Sequence, residues 1–230
     1  MTVAAVVLAA TPASALADAD GTAGARRIAD TAWAGGATPV VVCAFDPDGD
    51  VAKALTNAEV TLVEPVAREL GPVGQITNGI VAARGLVAET DAALVWPARL
   101  AWVDAETVTQ LIEAHGTDRD TVLRPAYGGE AGFPVLLPLA HLDAFARLPA
   151  DRMPGELLDD LAATGVPFAV LETGDPGVSH DVSVARADLP PFEGPPTPMD
   201  AHEHEWGAGV ADIGDDVPPP GPSSISIARP

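Results

Sequence analysis

Positive charge and cysteine are both scarce in this chain of 230 residues. Lys and Arg total 12 against 33 Asp and Glu, the formal net charge is −21, and Lys53 is the only lysine. Because phosphate backbones and anionic lipids repel so acidic a surface, the charge argues against general binding to nucleic acid or to a membrane. The single cysteine, Cys43, stands in an apolar run, so we expect a buried thiol and no intramolecular disulfide.

Long hydrophobic runs are also missing. No stretch approaches the roughly 20 apolar residues that a membrane-spanning helix needs. The apolar residues 3–10 could belong to a secretion signal, but no Lys or Arg precedes Arg26, so the charged start of such a signal is lacking. The same residues suit a first buried strand. We therefore expect a cytoplasmic protein, with secretion as the alternative.

What the chain does contain is an alternation between short apolar runs and segments with helical spacing. This pattern predicts an α/β fold, in which a doubly wound, mostly parallel sheet carries helices on both faces. The predicted strands are residues 3–9, 39–44, 60–64, 92–96, 121–124 and 167–171. The predicted helices are residues 24–35, 73–84, 104–115 and 154–164, and Asp104 is a suitable N-cap for the third.

The character of the chain changes near residue 190. Ten of the 41 residues from 190 to 230 are proline, and Arg229 is the only basic residue among them. Such a segment cannot bury enough apolar surface to offset its ordering entropy, so we expect one folded domain over residues 1–189 and an extended, mobile, acidic tail over 190–230. Trp206, Ile225 and Ile227 are isolated apolar anchors, which predicts that the tail engages a protein partner or another copy of the chain.

Residues 94–108 predict a buried strand that leads into a helix, with Arg99 between them. In open parallel sheets, ligands bind outside the carboxyl ends of the strands, so Arg99 stands where metal chemistry would be placed. The segment resembles the MobA-like NTP transferases, the nucleotidyltransferases of the molybdenum cofactor, whose run is Gly-Asp-x-Pro followed by Asp-x-Glu-Thr. Residues 104–107 match the end of that run, whereas Arg99 replaces the metal-binding Asp. The resemblance implies a nucleotide-diphospho-sugar-transferase-like fold.

The first loop departs from the family in a similar way. After residues 6–10 the family continues into a Gly-rich loop with a Ser, an Arg and a Lys that grips the nucleotide phosphates. Ser14 is retained, but Ala15 replaces the Arg and Asp20 replaces the Lys. Glycines let backbone N–H groups converge on an anion and a basic side chain neutralises it, so this loop has lost both means of holding phosphate.

Three further places carry the resemblance. Glu64 and the turn over residues 71–74 look like an acidic residue and a Gly-Pro turn beside the nucleotide, with a purely structural turn as the alternative. The run 127–136 faces the second substrate in the family, but here Glu130 and Phe133 stand where Arg and His are usual. Asp181 corresponds to a second family carboxylate and would be a metal ligand if the protein were active. The residual pocket that the resemblance implies consists of Ala9, Ala10, Ser14, Glu64, Gly71, Pro72, Gly74, Asn78, Arg99, Tyr127 and Gly132.

Residues that shape the backbone are retained in these motifs, whereas those that contact phosphate or metal are changed. Phosphoryl and nucleotidyl transfer depend on the lost charges. We therefore expect a protein that has lost catalysis, uses no cofactor and acts as a binding, scaffold or regulatory subunit. One alternative is an active nucleotidyltransferase whose Mg²⁺ is held by relocated acids: Asp18, Asp20, Asp104 or Asp181. Another is a binder of a small neutral or cationic ligand.

Arg99 carries the most specific structural expectation. Since a guanidinium replaces one of two carboxylates that would share a metal, we expect it to pair with the other, Asp181, or with Glu64 or Asp104. If that ion pair is partly buried, removing Arg99 should destabilise the fold by roughly 3–5 kcal/mol, because the remaining charge loses its compensation.

Overall fold

The computed structural model describes residues 1–195. Residues 196–230 lie outside this range, and with them most of the predicted tail and its anchors Trp206, Ile225 and Ile227. The described chain continues past the predicted domain end at residue 189, and the amide of Glu193 donates to the carbonyl oxygen of Gly174 at 3.1 Å.

A central sheet is formed by eight of the ten described strands, in the order β10-β7-β9-β6-β1-β4-β5, with β8 paired to β7. β1 is parallel to both of its neighbours, β4 is parallel to β5, and β10 is parallel to β7. Within this sheet, β8 and β9 run antiparallel to the strands beside them, and β2 and β3 form a separate antiparallel pair. The strands are β1 (Thr2–Leu8), β2 (Asp18–Ala19), β3 (Thr22–Ala23), β4 (Val40–Cys43), β5 (Thr61–Val63), β6 (Thr90–Pro97), β7 (Val122–Tyr127), β8 (Glu130–Ala131), β9 (Val135–Pro138) and β10 (Phe168–Glu172).

Helices cover both faces of this sheet. Ile28 and Leu111, from α2 and α5, are buried in one hydrophobic cluster, whereas Ile80 and Leu161, from α4 and α7, are buried in the other. Alternate residues of β1 enter the two clusters, as expected of a strand buried on both sides. The predicted doubly wound, mostly parallel α/β fold is confirmed. The helices are α1 (Pro12–Ala15), α2 (Gly24–Ala34), α3 (Asp50–Ala54), α4 (Gly71–Leu86), α5 (Ala105–Thr117), α6 (Leu142–Phe145) and α7 (Pro154–Ala163).

Two strands of the sheet were not predicted, β8 and β9. The antiparallel β9 lies between β6 and β7, so the sheet is mixed at this point. Its four residues are all buried, and a run so short and uniformly apolar shows neither strand nor helix periodicity. No helix within residues 1–195 is long and apolar enough to span a membrane.

Cys43 is buried as expected, with 2% of its surface exposed, and burial raises the pKa of its thiol to about 11. Its sulfur lies where α4 approaches the sheet most closely. An added Cβ at Gly79 would lie 2.3 Å from Cγ1 of Val6 and 2.9 Å from the sulfur of Cys43. A glycine at this position therefore sets the distance between helix and sheet.

Gly79→Ala should lower the free energy of unfolding by about 1–3 kcal/mol, because the methyl group has to displace well-packed atoms of β1 and β4. Gly85→Ala is the matched control in the same helix, since its Cβ would meet nothing within 4 Å. The control should be neutral or raise stability by up to about 1 kcal/mol, because alanine favours the helix. Urea denaturation measures both, and equal effects would contradict the close approach.

Candidate functional site

The segments that follow β1, β4 and β6 meet at the carboxyl edge of the sheet. The amide of Ala9 donates to the carbonyl oxygen of Cys43 at 3.0 Å, and the amide of Ala98 donates to that of Leu8 at 2.9 Å. Ala9 is buried and Ala10 is exposed. Because β1, β4 and β6 are parallel neighbours, this edge is where the fold would place a ligand.

A short helix takes the place of a glycine-rich loop after β1. Thr11 caps α1, and Pro12 occupies its first turn. The Ser14 hydroxyl donates to the carbonyl oxygen of Thr11 at 2.7 Å and accepts from the amide of Thr11 at 3.0 Å, while the amide of Ser14 donates to Thr11 Oγ1 at 3.1 Å. The serine retained from the family motif is thus engaged in a capping box, which stabilises the helix start.

The aspartate at the family's lysine position lies in a tight turn between β2 and β3. Asp20 and Gly21 have positive φ angles of 55° and 76°, and the amide of Gly21 donates to Oδ1 of Asp18 at 2.9 Å. Both aspartate side chains are exposed. Residues 1–195 contain no group of three or more His, Cys, Asp or Glu side chains able to hold a metal, so Asp18, Asp20, Asp104 and Asp181 do not converge on one site.

Arg99 forms the ion pair that the sequence leads us to expect. A guanidinium nitrogen of Arg99 contacts Oδ2 of Asp181, and the amide of Val182 donates to the carbonyl oxygen of Arg99 at 2.9 Å. Glu64 and Asp104 form no ion pair with Arg99 in this arrangement. The side-chain contact thus joins two residues 82 positions apart, and the backbone bond from Val182 holds the same two segments together.

Only the Asp181 side of this ion pair is partly buried. The Arg99 side chain is 62% exposed and that of Asp181 is 26% exposed. Water and salt screen such a pair, so its contribution to stability is about 0–1 kcal/mol rather than the larger value of a buried pair. The main effect of the pair is therefore that Arg99 and Asp181 neutralise each other's charge, and its contribution to the stability of the fold is small.

Ser183 is the functional neighbour that sequence reasoning missed. Its hydroxyl and its amide both donate to Oδ1 of Asp181, the amide at 2.8 Å. These bonds, led by the hydroxyl and joined by the charge of Arg99, lower the pKa of Asp181 against the opposing effect of burial. The Asp-x-Ser spacing is the available signal, because Asp commonly accepts from the amide two residues on. Asp181 is therefore ionised, with hydrogen bonds to both of its oxygens.

A second carboxylate, Asp175, is fully buried and holds the backbone around the site. Its Oδ2 accepts from the amide of Asp104 and the hydroxyl of Thr107, both at 2.8 Å. Its Oδ1 accepts from the amide of Gly177 at 2.8 Å. All three donors are satisfied by one side chain, so Asp175 ties the start of α5 to residues 175–177. Asp104 itself is the N-cap of α5, as predicted.

Close backbone contacts account for the glycines and proline of the residual pocket. An added Cβ would lie 2.0 Å from the carbonyl oxygen of Val178 at Gly132, and 1.7 Å from that of Ala150 at Gly71. Gly71 also has a φ of 58°, and Gly74 leaves only 2.5 Å to Cβ of Leu70. Pro72 lies in the first turn of α4. These residues have structural roles whatever the site binds.

The remaining pocket residues lie at the rim. Asn78 donates from Nδ2 to the backbone carbonyl oxygen of Glu64 at 3.2 Å, and the side chain of Glu64 is exposed. Tyr127 is half-buried against the core at the end of β7. Contact of these side chains with a ligand stays a prediction.

The chain belongs to the MobA-like NTP transferase domain family, which matches residues 6–165. This family membership agrees with the fold and with the position of the Arg99–Asp181 pair at the edge where the sheet would bind a nucleotide. A search of curated proteins finds no significant match.

Solved structures of nucleotidyltransferases share this fold. A nucleotidyl transferase from Methanothermobacter is 19% identical, with 74% of this chain and 87% of that chain covered and a TM-score of 0.62. A Mycobacterium tuberculosis protein solved in complex with manganese is 16% identical, with 75% and 88% covered and a TM-score of 0.57. The 2-C-methyl-D-erythritol 4-phosphate cytidylyltransferase from Thermus thermophilus is 19% identical, with 81% and 98% covered and a TM-score of 0.59. At these identities the likeness establishes the fold alone.

Breaking the contacts of Asp181 and breaking those of Asp175 should have very different effects on the free energy of unfolding. Arg99→Ala should change the free energy of unfolding by no more than about 1 kcal/mol, because the pair is exposed. Asp175→Asn should cost about 1–3 kcal/mol, because an amide cannot accept from all three buried donors. Chemical denaturation of both variants is the measurement, and a larger loss for Arg99→Ala would show that the surface pair is structurally essential.

Proposed function

We propose that this MobA-like domain acts by binding rather than by nucleotidyl transfer. The Arg99–Asp181 ion pair carries the proposal. The family resemblance implies a Mg²⁺ between a carboxylate at the end of β6 and a second one near Asp181. Here the guanidinium supplies the positive charge at that place, and both oxygens of Asp181 already accept hydrogen bonds. The residues present therefore do not fit a divalent cation.

The loop after β1 supports the same proposal. Pro12 has no N–H to offer a phosphate, and the hydroxyl of Ser14 is engaged by Thr11. Asp20 adds negative charge where the family has a lysine. A nucleoside triphosphate would meet repulsion instead of neutralisation at this loop, and nucleotidyl transfer depends on that neutralisation.

The rival proposal is an active, metal-dependent nucleotidyltransferase. Its support comes from the family itself and from the neighbouring structure that was solved with manganese. Manganese is therefore the appropriate metal for the test, because it can be followed directly by electron paramagnetic resonance.

The wild-type protein should bind neither CTP nor GTP at millimolar concentration, with or without Mn²⁺, because the negative charge of the loop repels the triphosphate and the positive charge of Arg99 repels the metal ion. Arg99→Asp should create a site for Mn²⁺, because two carboxylates then face each other at the edge of the sheet. It should not release pyrophosphate, since Asp20 still replaces the loop lysine. Thermal shift, Mn²⁺ resonance and a pyrophosphate assay provide the measurements.

Arg84→Asp is the matched control for this variant. Arg84 is exposed and forms no ion pair within residues 1–195, and the substitution makes the same change in net charge. It should gain no Mn²⁺ affinity. Metal-dependent stabilisation of the wild type by a nucleotide, together with pyrophosphate release that Asp181→Ala abolishes, would establish the active rival and overturn the proposal.

We further propose that residues 190–230 engage a protein partner or a second copy of the chain in the cytoplasm. The support is compositional: a proline-rich acidic segment with the apolar residues Trp206, Ile225 and Ile227 suits docking into a groove.

A chain that ends at residue 195 tests the role of this segment while keeping the contact between Glu193 and Gly174. We expect it to remain folded and to have a smaller oligomeric state than the full chain, measured by light scattering after size exclusion. A triple substitution of Trp206, Ile225 and Ile227 by Ser in the full chain should have the same effect. If both proteins keep the oligomeric state of the wild type, self-association through this segment is ruled out.

A further inference from the structure

A cavity of about 400 Å³ lies where α2 faces the start of α5. Arg27, Thr31 and Ala34 line it from α2 at spacings of four and three residues, which places them on one face of the helix. Trp102 lines it from the segment before α5, and Arg186 from the turn at residues 186–188. None of the lining residues belongs to the residual pocket, and the volume falls in the range of about 300–1,000 Å³ typical of small-molecule sites.

Trp102 holds both arginines at this cavity. The guanidinium carbon of Arg27 lies 5.0 Å from the centre of the Trp102 ring, and its Nε donates to the carbonyl oxygen of Ala101 at 3.1 Å. Nη1 of Arg186 donates to the carbonyl oxygen of Trp102 at 3.4 Å. The indole is fixed in turn, because its Nε1 donates to the carbonyl oxygen of Val184 at 2.9 Å. Two guanidinium groups are thus oriented by one buried aromatic residue.

Most of the donors on these two arginines have no acceptor. Neither Arg27 nor Arg186 forms an ion pair with a carboxylate of residues 1–195, although the chain carries a net charge of −21. Within the same part of the chain, the Nη groups of Arg27 and the Nε and Nη2 of Arg186 donate to no protein acceptor. The hydroxyls of Thr22 and Thr31 line the same cavity. The site therefore presents an excess of hydrogen-bond donors.

Two carboxylates also line the cavity; Asp30 is paired with Arg26, and Asp104 caps a helix through one of its oxygens. Both oxygens of Asp30 accept from Nε of Arg26, at 2.9 Å and 2.8 Å. Oδ1 of Asp104 accepts from the amide of Glu106 at 3.0 Å as the cap of α5. Neither group neutralises Arg27 or Arg186 within 4 Å, so the two cations remain available to a ligand.

We infer that this cavity binds a small organic anion that carries two acidic groups, one for each guanidinium. Arginine pairs with carboxylate and phosphate through the same forked geometry, so the shared chemistry is an oxygen-rich dianion of metabolite size. A single inorganic ion would leave most of the volume unfilled. The inference goes beyond the proposed function, because it holds whether or not the edge of the sheet retains catalysis.

Isothermal titration of the full chain with succinate and with 3-phosphoglycerate, each of which carries two acidic groups, tests the inference, and acetate at matched ionic strength is the probe with one acidic group. We expect saturable binding of at least one of the two-acid ligands and none of acetate. Tighter binding of succinate would assign a dicarboxylate, and tighter binding of 3-phosphoglycerate a phosphorylated acid. Absence of saturable binding for both two-acid ligands, or equal affinity for acetate, would overturn the inference.

Substitutions locate the binding. Arg27→Gln and Arg186→Gln should each weaken the affinity by about tenfold or more, since each removes a charge-assisted contact. Arg27→Lys keeps the charge and removes the planar fork, so it separates the contribution of the fork from that of the charge. The melting temperature of each variant, measured in parallel, shows whether the variant is folded. Arg147→Gln, an exposed arginine after α6, is the charge-matched control and should leave the affinity unchanged. Binding that survives both glutamine variants would lie elsewhere and would refute this site.

Discussion

The buried carboxylate of Asp175 is the interaction on which the geometry of the whole edge depends. One side chain accepts from the start of α5 and from the turn at residues 175–177, which are far apart in sequence. The turn is pressed so closely against the segment before α5 that an added Cβ at Gly177 would lie 2.3 Å from the backbone of Trp102. With this junction in place, the residues on either side of it have little freedom, and Trp102, three residues after Arg99, takes its position from it.

Two different arrangements of arginine follow from that junction. Arg99 forms an ion pair with the carboxylate of Asp181, so its charge is neutralised within the protein. Arg27 and Arg186 meet an indole ring and backbone carbonyls, which orient a guanidinium without neutralising it. A guanidinium that is already neutralised has little affinity left for a ligand. A guanidinium that is oriented but not neutralised can still pair with an anion.

The sequence predicts the parallel strands and the four long helices because each has a clear period or a clear cap, as with Asp104 at α5. It predicts the partner of Arg99, because opposite charges at two family positions leave few choices. It does not predict the exposure of that pair, since burial depends on packing from distant segments. β9 was missed because four apolar residues show no periodicity. The cavity at Trp102 was missed because Arg27 and Arg186 are 159 positions apart and belong to no motif.

The central position of β1 also determines when the sheet can form during synthesis. Val6 pairs with Val41 on one side and with Val95 on the other, so the second neighbour emerges 89 residues after the first strand. At a translation rate of about 5–20 residues per second, this very apolar strand waits for about 4–18 s before both of its edges are covered. During that interval an unpaired strand is open to association with other nascent chains. A strand whose central residues are fully buried in the finished fold therefore has an uncovered edge for much of the synthesis of the domain.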